Sequence, residues 1–290
     1  MREYIIVTDT FCDMSMSYCE QHGIEVMNAT YTIEGKDYKT NAPDSLTCKQ
    51  FYDELRAGKQ AQTAQVNIED LTACFERIAA SGKDVFYFSF SSALSGSYQT
   101  STIAAAEVME KYPDCKIVAV DSLCASMGEG LMLEYCRRLR DRGLSLDELK
   151  ERAEADRQKF CHFFTVDDLG HLHRGGRVSK LTAVVGGALG IKPVLHVNEN
   201  GQLIAYGKVR GRKASFSAMV DSMAKVYEPS DMPVYISHSD VYEDAEYLAD
   251  LLRDRFGELD ILIGDIGPTI GSHVGPGTMA LFCFGKDRSV

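Results

Sequence analysis

Phe86-Tyr87-Phe88-Ser89-Phe90-Ser91-Ser92-Ala93-Leu94-Ser95-Gly96-Ser97 is the stretch from which the rest of the chain is read. From Val85 the run is apolar and aromatic to Phe90, the pattern of a buried strand. Small hydroxyl residues and Gly96 follow. Then Ile103, Ala104, Val108 and Met109 recur at helical spacing between Tyr98 and Tyr112. A strand therefore turns at Ser95-Gly96 into a helix. The first N–H groups of a helix lack intrahelical partners and carry the positive end of its dipole. Serine hydroxyls beside a glycine at that point make an anion site, or Ser95 simply caps the helix. The segment alone leaves both open.

The same alternation continues on either side. Tyr4 to Val7 reads as a strand ending in Thr8-Asp9-Thr10, with Asp9 at the carboxyl end of a sheet or capping a turn. Ile24 to Ile33 looks extended, and Glu34-Gly35-Lys36 allows a hairpin back through Tyr38. Leu46 to Arg56 suits a helix. Gln62 to Asn67 is a polar loop, with Asn67 capping a helix whose apolar face carries Leu71, Phe75 and Ile78. A strand from Lys116 to Val120 and a helix from Met127 follow. Ser145-Leu146-Asp147-Glu148 is a capping box opening a charged helix, expected as a solvated connector.

A second unit begins near Phe160, giving domains of residues 1–160 and 161–290. Its strands are expected at His162–Val166, Ile191–Val197, Leu203–Lys208, Val234–Ser237, Ile261–Ile263 and Met279–Phe284, and Ile270 to Thr278 reads as a glycine-rich stretch. The fold class is α/β: a parallel N-terminal sheet between helices, then a mixed C-terminal sheet with helices.

Composition narrows the function. The net charge of −11 disfavours a nucleic-acid backbone as partner. Apolar runs such as Ala183 to Ile191 are far short of a membrane span, and the start of the chain has no signal-peptide pattern, so a cytoplasmic protein without membrane insertion is expected. The nine cysteines, with no Cys-x-x-Cys pair, read as reduced and mostly buried thiols. No nucleotide-binding glycine loop has the required context, and Gly128-Glu129-Gly130 lacks it too. Asp9, Asp13, Asp121 and Asp167-Asp168 match no metal loop, so neither metal nor cofactor is expected. A serine hydrolase using Ser95 with His273 as base has some of its parts, but Ala93-Leu94-Ser95-Gly96-Ser97 is not a nucleophile elbow.

Val7-Thr8-Asp9-Thr10 with Asp13, Thr63-Ala64-Gln65, Ser91 to Gln99, Asp121-Ser122 with Ser126 and Gly128, Gly175-Gly176-Arg177-Val178-Ser179, Gly190 to Leu195, and Ile270 to Thr278 occur in one order over nearly the whole chain. Together they resemble the DegV family, which includes the fatty-acid-binding subunits of bacterial fatty acid kinase. The resemblance implies a two-domain carrier, without catalytic residues of its own, that holds one long-chain fatty acid (palmitate, stearate or oleate) between its domains. Thr63 and Ser95 would bind the carboxylate through their hydroxyls, Gly96 through its N–H, and His273 would join the polar network. Gln65, Ser97, Asp9 and Ser122 would lie behind them or at the mouth. A partner ATP-dependent kinase would phosphorylate the carboxylate to an acyl-phosphate. The family's Thr-Ser-Gln-Pro-Ser loop is here Thr63-Ala64-Gln65-Val66-Asn67, without the stiffening proline.

The energetics are consistent with such a ligand. Some 14 methylenes at roughly 0.8 kcal/mol each contribute on the order of 11 kcal/mol before ordering costs. The tail is expected beside the small-residue helix Leu181 to Leu189, with Leu181, Val184, Val185 and Ala188 lining it. Arg174, Arg177, Arg210 and Arg212 form a basic group that would guide an acidic kinase surface or ATP phosphates. A carrier, a Ser95 hydrolase and a module for another small carboxylate are the three readings that remain.

Overall fold

The computed structural model describes residues 2–178 and 190–288. Its strands are β1 (Tyr4–Asp9), β2 (Ile24–Met27), β3 (Thr30–Ile33), β4 (Lys36–Lys39), β5 (Ala61–Ala64), β6 (Asp84–Ser89) and β7 (Ile117–Asp121), then β8 (Phe160–Thr165), β9 (Ile191–Val197), β10 (Leu203–Arg210), β11 (Val234–His238), β12 (Ile261–Asp265) and β13 (Met279–Phe284). Its helices are α1 (Met16–Gln21), α2 (Cys48–Arg56), α3 (Ile68–Ala80), α4 (Ser97–Lys111), α5 (Met127–Asp141) and α6 (Leu146–Asp156), then α7 (Leu169–Arg174), α8 (Arg212–Val226), α9 (Tyr242–Phe256) and α10 (Pro268–Val274).

The expected parallel sheet has the order β2-β1-β6-β7, and its six-stranded mixed partner the order β10-β9-β8-β13-β11-β12. Every residue of β6 is buried, as a continuous apolar run in a parallel sheet requires. In the mixed sheet the faces alternate. Met279, Leu281 and Cys283 pack with residues of α8 and α9, whereas Ala280 and Phe282 join the core shared with the parallel sheet.

Two local expectations are corrected. Residues 62–64 of the expected loop are strand: β5 (Ala61–Ala64) pairs antiparallel with β3, which also pairs with β4, forming a small third sheet. Alternation of half-buried and exposed positions over four residues is too short a signal to separate from a loop. The charged helix α6 has its capping box at Ser145 and Glu148, but it is not a solvated connector. Leu146, Leu149 and Ala153 are buried, and it packs on β7 and α5.

Helix α5 follows β7 in the chain yet packs against β8, β11 and β13 of the other sheet. Gly128 permits this, and Gly130 permits a close contact with Met14 on the other side. A Cβ on Gly128 would lie 2.1 Å from His162 Nε2, and one on Gly130 would lie 2.6 Å from Met14 Sδ. Thus Gly128 and Gly130 are packing glycines. All nine cysteines are free, and all but half-buried Cys48 are buried. No helix among the described residues is long and apolar enough to cross a membrane.

Candidate functional site

A cavity of about 320 Å³ lies between the two large sheets. Phe90 and Leu94 wall it from the parallel-sheet side, and Phe164, Val197, Ala280 and Phe282 from the mixed-sheet side. At one end the lining turns polar, with Thr63, Gln65, Ser95, Gly96, Arg177 and His273. The sheet topology explains how these residues meet. Thr63 is on β5, Ser95 is in the loop from β6 to α4, and His273 is in the last turn of α10.

Thr63 Oγ1 is hydrogen-bonded to His273 Nε2 at 2.7 Å. Ser95 Oγ accepts the Ser97 N–H at 3.2 Å and lies 2.9 Å from Ser97 Oγ. Gly96 is the N-cap of α4, so Ser95 precedes the cap instead of occupying it. Gln65 donates to Thr100 Oγ1 at 2.7 Å, and its amide leaves no room for a side chain at position 96, where a Cβ would lie 2.1 Å from Oε1. Ser97 is buried behind the site, with its hydroxyl near the Val66 N–H.

Burial, reinforced by the Arg177 charge, pushes the His273 imidazole down to about 4. It is therefore neutral near pH 7. Arg177 donates to the carbonyls of Leu94 and Gly175, joining the loop before Ser95 to the turn after α7. A Cβ on Gly175 would lie 2.5 Å from His273 Nδ1. Because His273 Nε2 is committed to Thr63, and Ser95 Oγ to Ser97, the bonds among the described residues do not make His273 the base for Ser95.

The polar end opens into a second cleft of about 610 Å³ that also contains Thr63, Arg177 and His273. Lys59, Arg174 and His171 add to its lining, which includes no carboxylate among the described residues. At Gly275 the backbone has φ +77°, and a Cβ there would meet the His171 ring at 2.4 Å. Sequence reading missed Lys59 and His171; their one signal was proximity in the chain to Gly58 and Arg174.

Other expected residues lie elsewhere. Asp9 is fully buried, accepts from the Phe11 N–H and Tyr87 hydroxyl, and lines neither space. Burial pushes its carboxyl up to about 7. Buried Ser122 accepts the Cys124 N–H. Both are core hydrogen-bonding residues and not part of the mouth. The basic group also divides. Arg174 and Arg177 line the cleft, while Arg212 is held by Asp167, Asp244 and the Gly277 carbonyl, and exposed Arg210 borders neither space. Arg212 is thus a structural clamp. Leu181, Val184, Val185 and Ala188 lie outside the described residues.

The family model described as "Uncharacterised protein, DegV family" matches residues 4–286. A DegV domain-containing protein of Clostridium perfringens is 41% identical over 289 residues, covering 99% of each chain. A DegV lipid-binding protein from Thermotoga maritima superposes with a TM-score of 0.86 at 28% identity, over 99% of this chain and 100% of that one. A fatty-acid-binding DegV family protein from Streptococcus agalactiae gives a TM-score of 0.88 at 26% identity, over 99% and 100%. On the family match and the 41% identity across both whole chains, this chain belongs to the DegV family.

Proposed function

We propose that this protein is a non-catalytic carrier of one long-chain fatty acid, such as palmitate, stearate or oleate, and that it presents the carboxylate to a separate ATP-dependent kinase for acyl-phosphate formation. Lobes of residues 1–160 and 161–290 enclose the chain. The observation carrying this reading is a continuity: the apolar cavity ends in the Thr63 and Ser95 hydroxyls, and Thr63, with Arg177 and His273, also borders a basic cleft that has no carboxylate among its described lining residues. The fatty-acid-binding and lipid-binding relatives of the same fold support the ligand class.

A buried carboxylate needs several donors to offset desolvation. The Thr63 and Ser95 hydroxyls supply two, and the start of α4 adds the favourable end of its dipole. Neutral His273 holds Thr63 in place, and Arg177 adds positive potential. Hydroxyl donors in place of a paired cation would leave one carboxylate oxygen approachable from the cleft. Arg174 and Lys59 would there meet the phosphates of a nucleotide or an acidic partner surface.

Native mass spectrometry of the purified chain, with extraction and identification of what it carries, tests the proposal. A fatty acid at one per chain is expected. An empty protein that also fails to take up added palmitate would exclude the carrier role.

A further inference from the structure

Behind the aromatic wall of the acyl cavity lie two fully buried carboxyls, Asp9 at the end of β1 and Glu129 in the first turn of α5. Asp9 is tied to the wall itself. Its Oδ1 accepts the Phe11 N–H at 3.0 Å, and the Phe11 ring lines the cavity beside Phe90, with centroids 5.0 Å apart. Ser126, three residues before Glu129, lines the same cavity. Neither carboxyl oxygen of Glu129 has a hydrogen-bond partner among the described residues.

Nothing basic answers this pair. The two carboxyls bear on one another, and both bear on Cys12 and on the Tyr87 hydroxyl, which donates to Asp9 Oδ2 at 3.0 Å. The other groups bearing on Glu129, namely Asp13, Asp121 and Cys124, are acids as well. From β8 and β13 come His162 and Phe282, beside Gly128, and burial keeps that imidazole neutral. Tyr235 of β11 and Asp156 of α6 meet later turns of α5, where Arg137 and Arg138 are paired with Glu134. Arg288 contacts Cys124 Sγ at 3.3 Å, and its other bonds go to backbone carbonyls.

Burial without a counter-charge favours the protonated acids. It pushes the Asp9 carboxyl up to about 7 and the Glu129 carboxyl well above its ordinary range. Asp9 has donors and ionises first; Glu129 has none and keeps its proton. An acyl tail along Phe11 and Phe90 would replace water on the cavity side of the wall. That deepens the desolvation of Asp9 and favours its protonated form further.

We propose that fatty acid binding is coupled to uptake of a proton at Asp9, so that the carrier holds its ligand more tightly in mildly acidic than in mildly alkaline solution. This rests on the carrier reading above. Linkage fixes the sign: a ligand that strengthens proton binding at a site is itself bound more tightly when protons are plentiful. Asp9 acts through Phe11 as a positioning residue and lines no part of the cavity.

The test is calorimetric titration of delipidated protein with palmitate at pH 7 in phosphate and in Tris, whose different ionisation enthalpies reveal proton uptake. Dissociation constants from pH 6 to 9 complete it. Wild type should take up protons on binding, and its dissociation constant should rise about tenfold over that range, the effect of a one-unit upward shift of Asp9 in the complex. Asp9→Asn keeps an acceptor for the Phe11 N–H and cannot ionise, so it should remove both the uptake and this rise. Asp13, the cleft histidines and the palmitate head group titrate alike in the two proteins, and the difference isolates Asp9. Tyr87→Phe removes a donor to the ionised carboxyl and should move the rise to higher pH. Wild-type binding without proton uptake, a rise that survives Asp9→Asn, or a midpoint unmoved by Tyr87→Phe overturns the coupling. Failure to bind palmitate at any pH overturns the carrier reading itself.

Discussion

Thr63 Oγ1 and His273 Nε2, separated by 210 positions in the chain, are hydrogen-bonded at 2.7 Å where the apolar cavity meets the basic cleft. The bond ties the small third sheet to α10. It also orients a hydroxyl at the place where a carboxylate would arrive.

Removing the two hydroxyls should cost the ligand its head-group contacts. A hydrogen bond to a charged group contributes about 1.5–3 kcal/mol, so Thr63→Val and Ser95→Ala should each weaken fatty acid binding by roughly 10- to 100-fold. Displacement of a fluorescent lipid measures this. Unaltered affinity in the double variant would place the carboxylate elsewhere.

His273 gives a pH signature. Its folded value of about 4 lies below the ordinary histidine value, so the folded state binds fewer protons than the unfolded one. Its contribution is intact above about pH 6.5 and is lost as pH falls towards 4, by an order of 3 kcal/mol. In denaturant titrations wild type should therefore lose stability relative to His273→Gln as pH falls from 7 to 4. A pH-independent difference would show that the ring is not shielded as the geometry requires.

Asp9 works in the opposite direction. Burial holds its carboxyl near 7, above the ordinary aspartate value, so its protonated form favours the fold below about pH 4 and that stabilisation is lost as pH rises through 7. Asp9→Asn should raise the Tm relative to wild type more at pH 8 than at pH 5. Calorimetry at the two pH values decides it; equal shifts would contradict a shielded Asp9.

Gly128→Ala probes the close approach of α5 to the mixed sheet. The added methyl would meet His162 Nε2 at 2.1 Å and Phe282 Cδ1 at 2.7 Å. Overpacking of this kind costs about 1–3 kcal/mol, read as a lower denaturation midpoint with an unchanged slope. A neutral result would mean that α5 shifts away from β8 and β13 at little cost.

The basic cleft yields a split between binding and turnover. Exposed Arg174 lines the cleft but not the cavity. Under the proposed presentation to a separate kinase, Arg174→Glu should slow acyl-phosphate formation about tenfold and leave fatty acid affinity unchanged. Loss of affinity in parallel would assign Arg174 to the ligand and not to presentation.

The sequence was sufficient for whatever depends on local pattern. Aromatic continuity from Val85 to Phe90 marked β6, Asn67 marked the start of α3, and Ser145 with Glu148 marked α6, because each signal lies within one or two turns of chain. Thr63, Ser95, Gly96 and His273 were legible as a group only through the family resemblance, since no periodicity relates positions so far apart. Tertiary structure alone assigned Arg212 to Asp167 and Asp244 and Asp9 to Tyr87, for the contacts of a charged side chain depend on which strands become neighbours. It alone laid α5 on the opposite sheet, where Gly128 lets backbone and ring approach closely, and so decided where the cavity lies.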